Sequence, residues 1–345
     1  MVEQRDVEII LNNPIDWEQF RNKTVLVTGA TGRLGMYIVE AISKADIDWN
    51  LNVTIIALAR NKKKLEEVFG ESLKLPNIHV LVQDVTEPIN WDGDVHYIFH
   101  TAGLASPQDF TNHPVDTLWG HVQGTRNVLE LARTHNGEKV LYVSTVEIYG
   151  EWKSEDGIKE TDMGVMRCDN ARACYPEAKR LCETMLAAYE MQYGIQYVGV
   201  RLCHTFGPGI VLNDGRAFSE FIRNVLEGKD IVLQTDGSAE RTYTYVADAI
   251  GAMLLAFTKG KENYYNIANL DNLISIRDLA KLIVNLEPKG KSKVVFADGV
   301  EQKLKYLPFK LGIMDVTRIN QLGWNPQVDL EHAFRYTMES FQQRS

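Results

Sequence analysis

The stretch TVLVTGATGRLGMYIVEAISKA, residues 24–45, decides the fold of this chain. Its first residues are apolar or β-branched and predict a buried strand, and the apolar residues of MYIVEAISKA recur at helical spacing. Between strand and helix, missing side chains let backbone N–H groups approach a pyrophosphate at the positive end of the helix. This order predicts a dinucleotide-binding loop, with contacts expected from Gly29, Thr31, Gly32, Arg33, Leu34 and Gly35.

The alternation of strands and helices continues outward from this loop. Further strands are predicted at 53–59, 78–82, 97–101, 140–144 and 197–202, and helices at 15–20, 120–134 and 176–193. Such alternation predicts an α/β fold with a Rossmann-like, doubly wound parallel sheet. Past His204 turn residues interrupt the pattern, so we expect a smaller, discontinuous C-terminal substrate domain. The expected division is an N-terminal extension (1–23), a dinucleotide-binding domain (24–204 plus about 241–269) and a substrate-binding domain (about 205–240 plus 270–345).

Composition limits the partners of the chain. The 345 residues carry a formal net charge of −9, which gives no basic face for nucleic acid. No apolar run approaches the roughly 20 residues of a membrane span, and the opening MVEQRDVEII carries acids where a signal peptide would be basic and then apolar. We expect a cytoplasmic protein with no nucleic-acid or membrane partner. The spacing of the four cysteines predicts no metal site.

The end of the second strand bears on the choice of cofactor. The segment IIALARNKKK, residues 55–64, lacks the acid that usually binds the adenosine ribose of NAD. Arg60, with Arg33 nearby, could meet a 2′-phosphate instead, which favours NADP(H) and leaves NAD(H) open. The alternative is that Arg60 merely opens a solvated helix. Asp84 is a candidate acceptor for the adenine amino group, and the remaining cofactor contacts are expected from Val85 and Ala102.

A candidate acid/base set follows the later strands. Tyr175 and Lys179 are four residues apart at the start of a helix and therefore share one face. The Lys179 ammonium is expected to lower the pKa of the phenol, which is ordinarily about 10. Thr145 follows a strand and could hydrogen-bond the same reacting oxygen. This arrangement is typical of hydride transfer between a hydroxyl or ketone and nicotinamide.

Several motifs together resemble the extended short-chain dehydrogenase/reductase family, of the NAD-dependent epimerase/dehydratase type. They are TGATGRLG at 28–35, HTAG at 100–103, STVEIYG at 144–150, YPEAK at 175–179 and FGPG at 206–209, and the resemblance covers nearly the whole chain after residue 23. It implies a nucleotide-diphosphate sugar as substrate and a homodimer. It also implies Tyr175 as acid/base, Lys179 bridging the phenol and the nicotinamide ribose, Thr145 on the reacting oxygen, and Arg241 near the diphosphate.

Within this family, LASP at 104–107, RACYPEAKR at 172–180 and NDGRAFSEFI at 213–222 look most like UDP-glucuronate decarboxylases. The resemblance places Ser106 and Arg216 on the substrate side and Glu147 at the active-site glutamate of those enzymes, as a catalytic or sugar-binding group. Val146 departs from their pattern, because decarboxylases usually have serine there and 4,6-dehydratases have aspartate. His204 also departs from the family pattern, and it could contact substrate or serve the fold alone.

The missing polar residue at Val146 and the basic end of the second strand favour a net reductase. We expect NADPH-dependent reduction of the C4 ketone of a nucleotide-linked 4-keto-6-deoxyhexose, such as dTDP-4-keto-6-deoxyglucose, with Tyr175 protonating the oxygen. The alternative is a redox-neutral enzyme with retained NAD: a UDP-glucuronate decarboxylase, a 4-epimerase or a 4,6-dehydratase. A minor alternative is a dinucleotide-binding module without catalytic activity.

Overall fold

The computed structural model describes residues 2–152, 154, 156–287, 290–297 and 312–342. Its strands are β1 (Thr24–Thr28), β2 (Thr54–Ala59), β3 (Ile78–Val82), β4 (Tyr97–His100), β5 (Lys139–Thr145), β6 (Gln196–Leu202), β7 (His204–Phe206), β8 (Ile231–Leu233), β9 (Glu240–Tyr245), β10 (Tyr264–Ile267), β11 (Leu273–Ser275) and β12 (Val294–Phe296). Its α-helices are α1 (Gln4–Leu11), α2 (Arg33–Trp49), α3 (Lys62–Phe69), α4 (Pro107–Asn112), α5 (Pro114–Thr134), α6 (Cys174–Tyr193), α7 (Ala217–Leu226), α8 (Val246–Lys259), α9 (Ile276–Asn285), α10 (Thr317–Gln321) and α11 (Leu330–Gln342).

A parallel sheet in the order β3–β2–β1–β4–β5–β6–β10 forms the centre of the fold. Alternate residues of β1 enter different cores. Val25 and Val27 pack on one face with α2 and α8, whereas Leu26 packs on the other face with α5 and α6. Because helices cover both faces, successive residues in the middle of these strands are mostly apolar. The Rossmann-like, doubly wound sheet predicted from the sequence is confirmed.

The strand order reverses between β1 and β4, which creates a crevice at the carboxyl ends of these strands. The two strands are in register there, with Thr28 opposite His100. The Thr28 hydroxyl lies 2.8 Å from His100 Nδ1 and is fully buried with it. The glycine-rich loop follows β1 and Ala102 follows β4, so both border the crevice.

Two small sheets lie beyond the central one. Strands β7, β9 and β11 form one, and β8 pairs with β12 in the other. Helix α8 and strand β10 then return to the large sheet, as expected from the sequence, whereas residues 241–245 of β9 belong to the small sheet. The division into two domains stays a prediction. Residues 288–289, 298–311 and 343–345 of the expected substrate domain lie outside the described residues.

The N-terminal extension differs from the prediction of one helix at 15–20. A 3₁₀ helix spans Trp17–Phe20, and α1 precedes it. Asp6 of α1 is fully buried and accepts hydrogen bonds from Tyr37 of α2, at 2.7 Å, and from Tyr245 of β9, at 2.8 Å. A single carboxylate therefore fixes the extension to both the large and the small sheet regions.

Helix boundaries also differ from the sequence prediction. Helix α5 begins at Pro114, six residues before the expected start, because proline is well suited to the first turn of a helix. The short helix α4, not predicted, begins at a capping box in which Ser106 and Asp109 exchange hydrogen bonds. Within the described residues, no helix combines the length and apolar character that crossing a membrane requires.

Candidate active site

The predicted acid/base residues Thr145, Tyr175 and Lys179 come together at the carboxyl end of β5. Thr145 ends β5, and Tyr175 lies in the first turn of α6, which packs against that strand. Lys179 follows one turn later, with its Nζ 5.8 Å from the centroid of the Tyr175 ring. All three are nearly buried, at 5–8% exposure. The catalytic roles of these residues stay predictions, but their side chains share one site.

One electrostatic expectation is wrong for the protein alone, namely that Lys179 lowers the pKa of Tyr175. Burial raises the pKa of Tyr175 to about 12, and the charge of Glu147 adds to this rise. A hydrogen bond with Thr145 and the charges of Arg216 and Arg172 act in the opposite direction. The Lys179 ammonium donates instead to the Val143 carbonyl, at 2.6 Å. Tyr175 is therefore protonated at neutral pH.

The Lys179 ammonium is poorly stabilised where it lies. Burial lowers the pKa of Lys179 to about 8. Besides the Val143 carbonyl, its close contact is the face of the Tyr142 ring, whose centroid is 4.7 Å away. A hydroxyl group entering the crevice would give the ammonium an additional acceptor, which favours binding of a polyol such as ribose at this point.

Glu147 lies two residues after Thr145, in a 3₁₀ helix that spans Val146–Tyr149. Arg172 donates a hydrogen bond to Glu147 Oε1 at 3.0 Å, and its guanidinium lies 2.9 Å from Oε2. Among the described residues Oε2 has no hydrogen-bond partner of good geometry. Burial raises the pKa of Glu147, while Arg172, Arg216 and Arg241 oppose the rise. The carboxylate therefore keeps unused acceptor capacity beside Tyr175.

The predicted substrate residues His204 and Arg241 line one cavity together with Val146. Burial lowers the pKa of His204 to about 3, and the charges of Arg241 and Arg216 act in the same direction. His204 is therefore a neutral hydrogen-bonding group. Burial also lowers the pKa of Arg241, which donates to the carbonyl of Glu240 at 2.7 Å. The cavity thus combines an apolar wall with one neutral and one cationic donor.

The two remaining substrate candidates, Ser106 and Arg216, lie at the start of α4 and just before α7, and both are already hydrogen-bonded. Ser106 Oγ donates to Asp109 at 2.6 Å, so its hydroxyl is engaged in the cap of α4. Arg216 donates to Asp214 at 2.5 Å and to the carbonyl of Ala105. It therefore ties the segment before α7 to the start of α4. A sugar contact by Ser106 stays a prediction, and it would compete with the helix cap.

The geometry of the glycine-rich loop fits a dinucleotide. Gly29 has φ of 66°, and a Cβ there would lie 2.9 Å from Ala102 Cα. A Cβ at Gly35 would lie 2.4 Å from the Gly29 carbonyl oxygen, so both positions require glycine. Gly32 is exposed and opens α2 without a side-chain cap. The first N–H groups of α2 are thus available to a diphosphate, and Thr31 and Leu34 flank them.

The Arg33 side chain is not placed as expected for a ligand of a 2′-phosphate. Its guanidinium donates to the Thr205 carbonyl of β7 at 2.7 Å. Burial lowers the pKa of Arg33 to about 10, and the nearby charge of Arg216 contributes. The side chain therefore reaches across to the substrate arginines and away from the end of β2.

Arg60 lies at the end of β2, 70% exposed, with its guanidinium 3.6 Å from the Asp84 carboxylate. Although burial opposes it, hydrogen bonds from Thr86 and the charge of Arg60 lower the pKa of Asp84. A 2′-phosphate at Arg60 would meet this ionised carboxylate, so the structure does not support a preference for NADP. Val85 is buried behind Asp84, and its carbonyl accepts from Asn127 at 2.9 Å.

The fold and the set of Thr145, Tyr175 and Lys179 define an extended short-chain dehydrogenase/reductase that acts on nucleotide sugars. Residues 25–268 match the model of the NAD dependent epimerase/dehydratase family, and the chain belongs to this family. The resemblance predicted from the motifs is thereby confirmed.

Curated relatives and solved structures agree with this assignment. UDP-glucuronic acid decarboxylase 1 of Xenopus tropicalis is 30% identical over 322 residues, 92% of this chain and 72% of that protein. UDP-glucuronic acid decarboxylase 5 of Arabidopsis thaliana is 28% identical over 329 residues, 94% of this chain and 90% of that protein. The structure of UDP-glucuronic acid 4-epimerase from Bacillus cereus, in complex with UDP-glucuronic acid and NAD, covers 93% of this chain and 100% of its own, with a TM-score of 0.75 and 20% identity.

Three residues of the site were not assigned from the sequence. Arg172 stands in the quoted RACYPEAKR motif, but only the fold shows that it pairs with Glu147. Phe110 stacks on Tyr175, and Asp214 pairs with Arg216. The spacing of Arg172 from Tyr175 could have suggested a shared site, whereas no local signal indicates Phe110. His121, on α5, donates a hydrogen bond from Nε2 to the Leu104 carbonyl at 2.8 Å.

Proposed function

We propose that this enzyme oxidises C4 of a UDP-linked hexuronate with retained NAD, releases the C5 carboxylate as CO₂ and returns the hydride to C4. The observation that carries the proposal is the convergence of Arg172, Arg216 and Arg241 on Glu147, beside Tyr175. Such a basic lining suits a substrate with a carboxylate in addition to its diphosphate. The two decarboxylase relatives, similar over more than nine-tenths of this chain, support the same reaction.

The side chains can divide the chemistry among them. NAD, when bound, supplies the hydride acceptor and a positive ring charge that favours the phenolate. Tyr175 takes the proton of the C4 hydroxyl and finally returns it to the C4 oxygen, while Thr145 hydrogen-bonds that oxygen. A C4 ketone makes the C5 carboxylate part of a β-keto acid, so the C–C bond electrons pass to the C4 oxygen as CO₂ leaves. Glu147, whose pKa burial raises, is suited to deliver the proton that C5 takes up.

The second candidate is 4-epimerisation of the same UDP-uronate without loss of CO₂. Val146 favours it, because an apolar side chain in the cavity beside Glu147 offers no hydrogen bond to a departing carboxylate. Reduction of a 4-keto sugar by NADPH has less support than either redox-neutral reaction. That hypothesis depends on Arg60 as a ligand of a 2′-phosphate, and Arg60 already faces Asp84.

The test uses the full chain without added cofactor. The purified protein is denatured and the released dinucleotide is identified by mass spectrometry, and native protein is then incubated with UDP-glucuronate while CO₂ and products are followed by NMR. We expect bound NAD, CO₂ and a UDP-pentose, with Tyr175→Phe as the inactive control. UDP-galacturonate without CO₂ would support epimerisation. If the protein converts only a 4-keto sugar, and only with added NADPH, it is a reductase. If it holds dinucleotide but converts no sugar nucleotide, it is a binding module.

A further inference from the structure

Phe110 of α4 packs against the catalytic tyrosine. The rings of Phe110 and Tyr175 are stacked, with centroids 4.2 Å apart and planes 17° from parallel. His121 lies against Tyr175 as well, with ring centroids 5.5 Å apart at 59°. Phe110 is 3% exposed although its helix spans only Pro107–Asn112. The phenol therefore contacts rings from both α4 and α5, which restrict its rotation.

Arg172 connects this stack to Glu147. Its guanidinium carbon lies 4.7 Å from the centroid of the Phe110 ring, while the same guanidinium pairs with Glu147 at 2.9–3.0 Å. A cation on an aromatic face gains electrostatic energy and loses freedom to move. The contacts thus form one continuous path from Glu147 through Arg172 and Phe110 to Tyr175.

The position of Phe110 is itself fixed by the chain around it. The capping box of Ser106 and Asp109 defines the start of α4. Arg216 binds the carbonyl of Ala105 just before this box, and the Cys174 thiol lies 3.8 Å from the Phe110 carbonyl. The aromatic ring is therefore presented to Tyr175 by contacts from two separate segments of the site.

We propose that Phe110 and Arg172 are positioning residues that hold the Tyr175 phenol and the Glu147 carboxylate in a fixed relation across the sugar site. The inference rests on the proposed function only for the chemical roles of Tyr175 and Glu147. Without the Phe110 ring, Arg172 loses one of its two anchors and can move toward solvent. Without Arg172, Glu147 keeps its buried carboxylate but loses the cation that is hydrogen-bonded to it.

Other charged and titratable groups also face Glu147. Arg216 from the segment before α7 and Arg241 of β9 lower its pKa, while Glu147 raises the pKa of Tyr175 and of Cys174 on α6. Because Arg172 opposes the effect of burial more strongly than Arg216 or Arg241 does, its loss raises the pKa of Glu147 most. In the C4 oxidation step, ionised Glu147 accepts hydrogen bonds from sugar hydroxyls more strongly than the neutral carboxyl group does, so the acid limb of that step follows its pKa. The later delivery of a proton to C5 uses the protonated form.

The test compares pH profiles of the single-turnover rate of C4 oxidation for Arg172→Gln, Arg172→Lys and Phe110→Leu. The rate followed is reduction of bound NAD by sugar nucleotide, at the nicotinamide absorbance, so that it reports C4 oxidation whatever happens to the carboxylate. We expect Arg172→Gln to lower this rate at least tenfold and to move its acid limb to higher pH, and Arg172→Lys to restore the limb. Phe110→Leu should move the limb in the same direction, and the double variant should add little. The matched control is Arg167→Gln, an exposed arginine of the same loop that pairs with Asp169.

A second measurement needs no turnover. The thermal midpoints of Phe110→Leu, Arg172→Gln and the double variant are compared in the protein without sugar. Losses smaller in the double variant than the sum of the two single losses would support the contact path. Strictly additive losses together with an unmoved acid limb would overturn it. Failure of UDP-glucuronate to lose CO₂, with these couplings intact, would overturn the proposed function and leave the positioning role standing.

Discussion

At the residue scale, Tyr175 and Lys179 have pKa values shifted by the same cause. Burial raises the pKa of the phenol to about 12 and lowers that of the ammonium to about 8. Both shifts favour the neutral forms, as expected where water is excluded. Sequence spacing correctly predicted that the two side chains share a face, but the sign of the effect on Tyr175 depended on desolvation and on Glu147.

We expect Tyr175→Phe to lower turnover by about 10²–10⁴, because proton transfer to and from the C4 oxygen is lost. Bound dinucleotide should be retained, since the glycine-rich loop is unchanged. Stopped-flow absorbance of nicotinamide and mass spectrometry of the released cofactor measure the two effects. Undiminished turnover would contradict the assigned role of the phenol.

We expect Lys179→Met to abolish turnover but to stabilise the protein at pH 7 by about 1–3 kcal/mol. The folded pKa of about 8 lies below the ordinary value of 10.5, so the cost of charging Lys179 is fully present below pH 8. This cost declines as the pH rises from about 8, where the folded protein loses the proton, and it is gone above the unfolded value of 10.5. Denaturant unfolding of both proteins between pH 7 and pH 10 measures the difference.

The matched control is Lys139→Met at the opposite end of β5. Burial lowers the pKa of Lys139 too, and its ammonium donates to the Phe257 carbonyl at 2.6 Å. Lys139 is the first residue of β5, whereas the site lies at the last residue of this strand. This variant should keep its turnover. A lower stability of Lys179→Met at every pH would show that the bond to the Val143 carbonyl outweighs the cost of burial.

At the element scale, α1 is one of the helices that sequence patterns missed. Its polar sequence QRDVEIIL gives only a short apolar face, formed by Val7 and Ile10, and Asp6 is buried beside that face. A buried carboxylate is stable there because two phenols, Tyr37 and Tyr245, donate to it. Both donors are distant in sequence, so no local pattern could indicate the contact.

We expect Asp6→Ala to lower the free energy of unfolding by about 2–4 kcal/mol, because it leaves two buried hydroxyls without an acceptor. Glu8→Ala, on the exposed side of the same helix, should change it by about 0.5 kcal/mol or less. Urea denaturation followed by circular dichroism compares them. Equal effects for the two variants would show that Asp6 does not anchor α1.

At the scale of the whole molecule, α5 and α6 pack side by side and leave large apolar side chains exposed. Val115 and Trp119 of α5 are 66% and 59% exposed, and Leu181 of α6 is 46% exposed. We predict that these helices form the homodimer expected from the family resemblance. Trp119→Glu should then halve the mass measured by analytical ultracentrifugation. The control is Ile47→Glu, at an exposed site of α2 on the other face of the sheet, which should leave the mass unchanged. If the unmodified protein is a monomer, the prediction is wrong.

The sequence by itself determined the parallel sheet, the glycine-rich loop and the set of Thr145, Tyr175 and Lys179. These features are encoded over a few neighbouring residues, by apolar periodicity, by glycines at a tight turn and by spacing of four along a helix. The tertiary structure alone decided the ion pair of Arg60 with Asp84, the path from Glu147 to Tyr175 and the protonated state of the phenol. Each of these depends on contacts between distant segments and on exclusion of water, which a linear pattern does not contain.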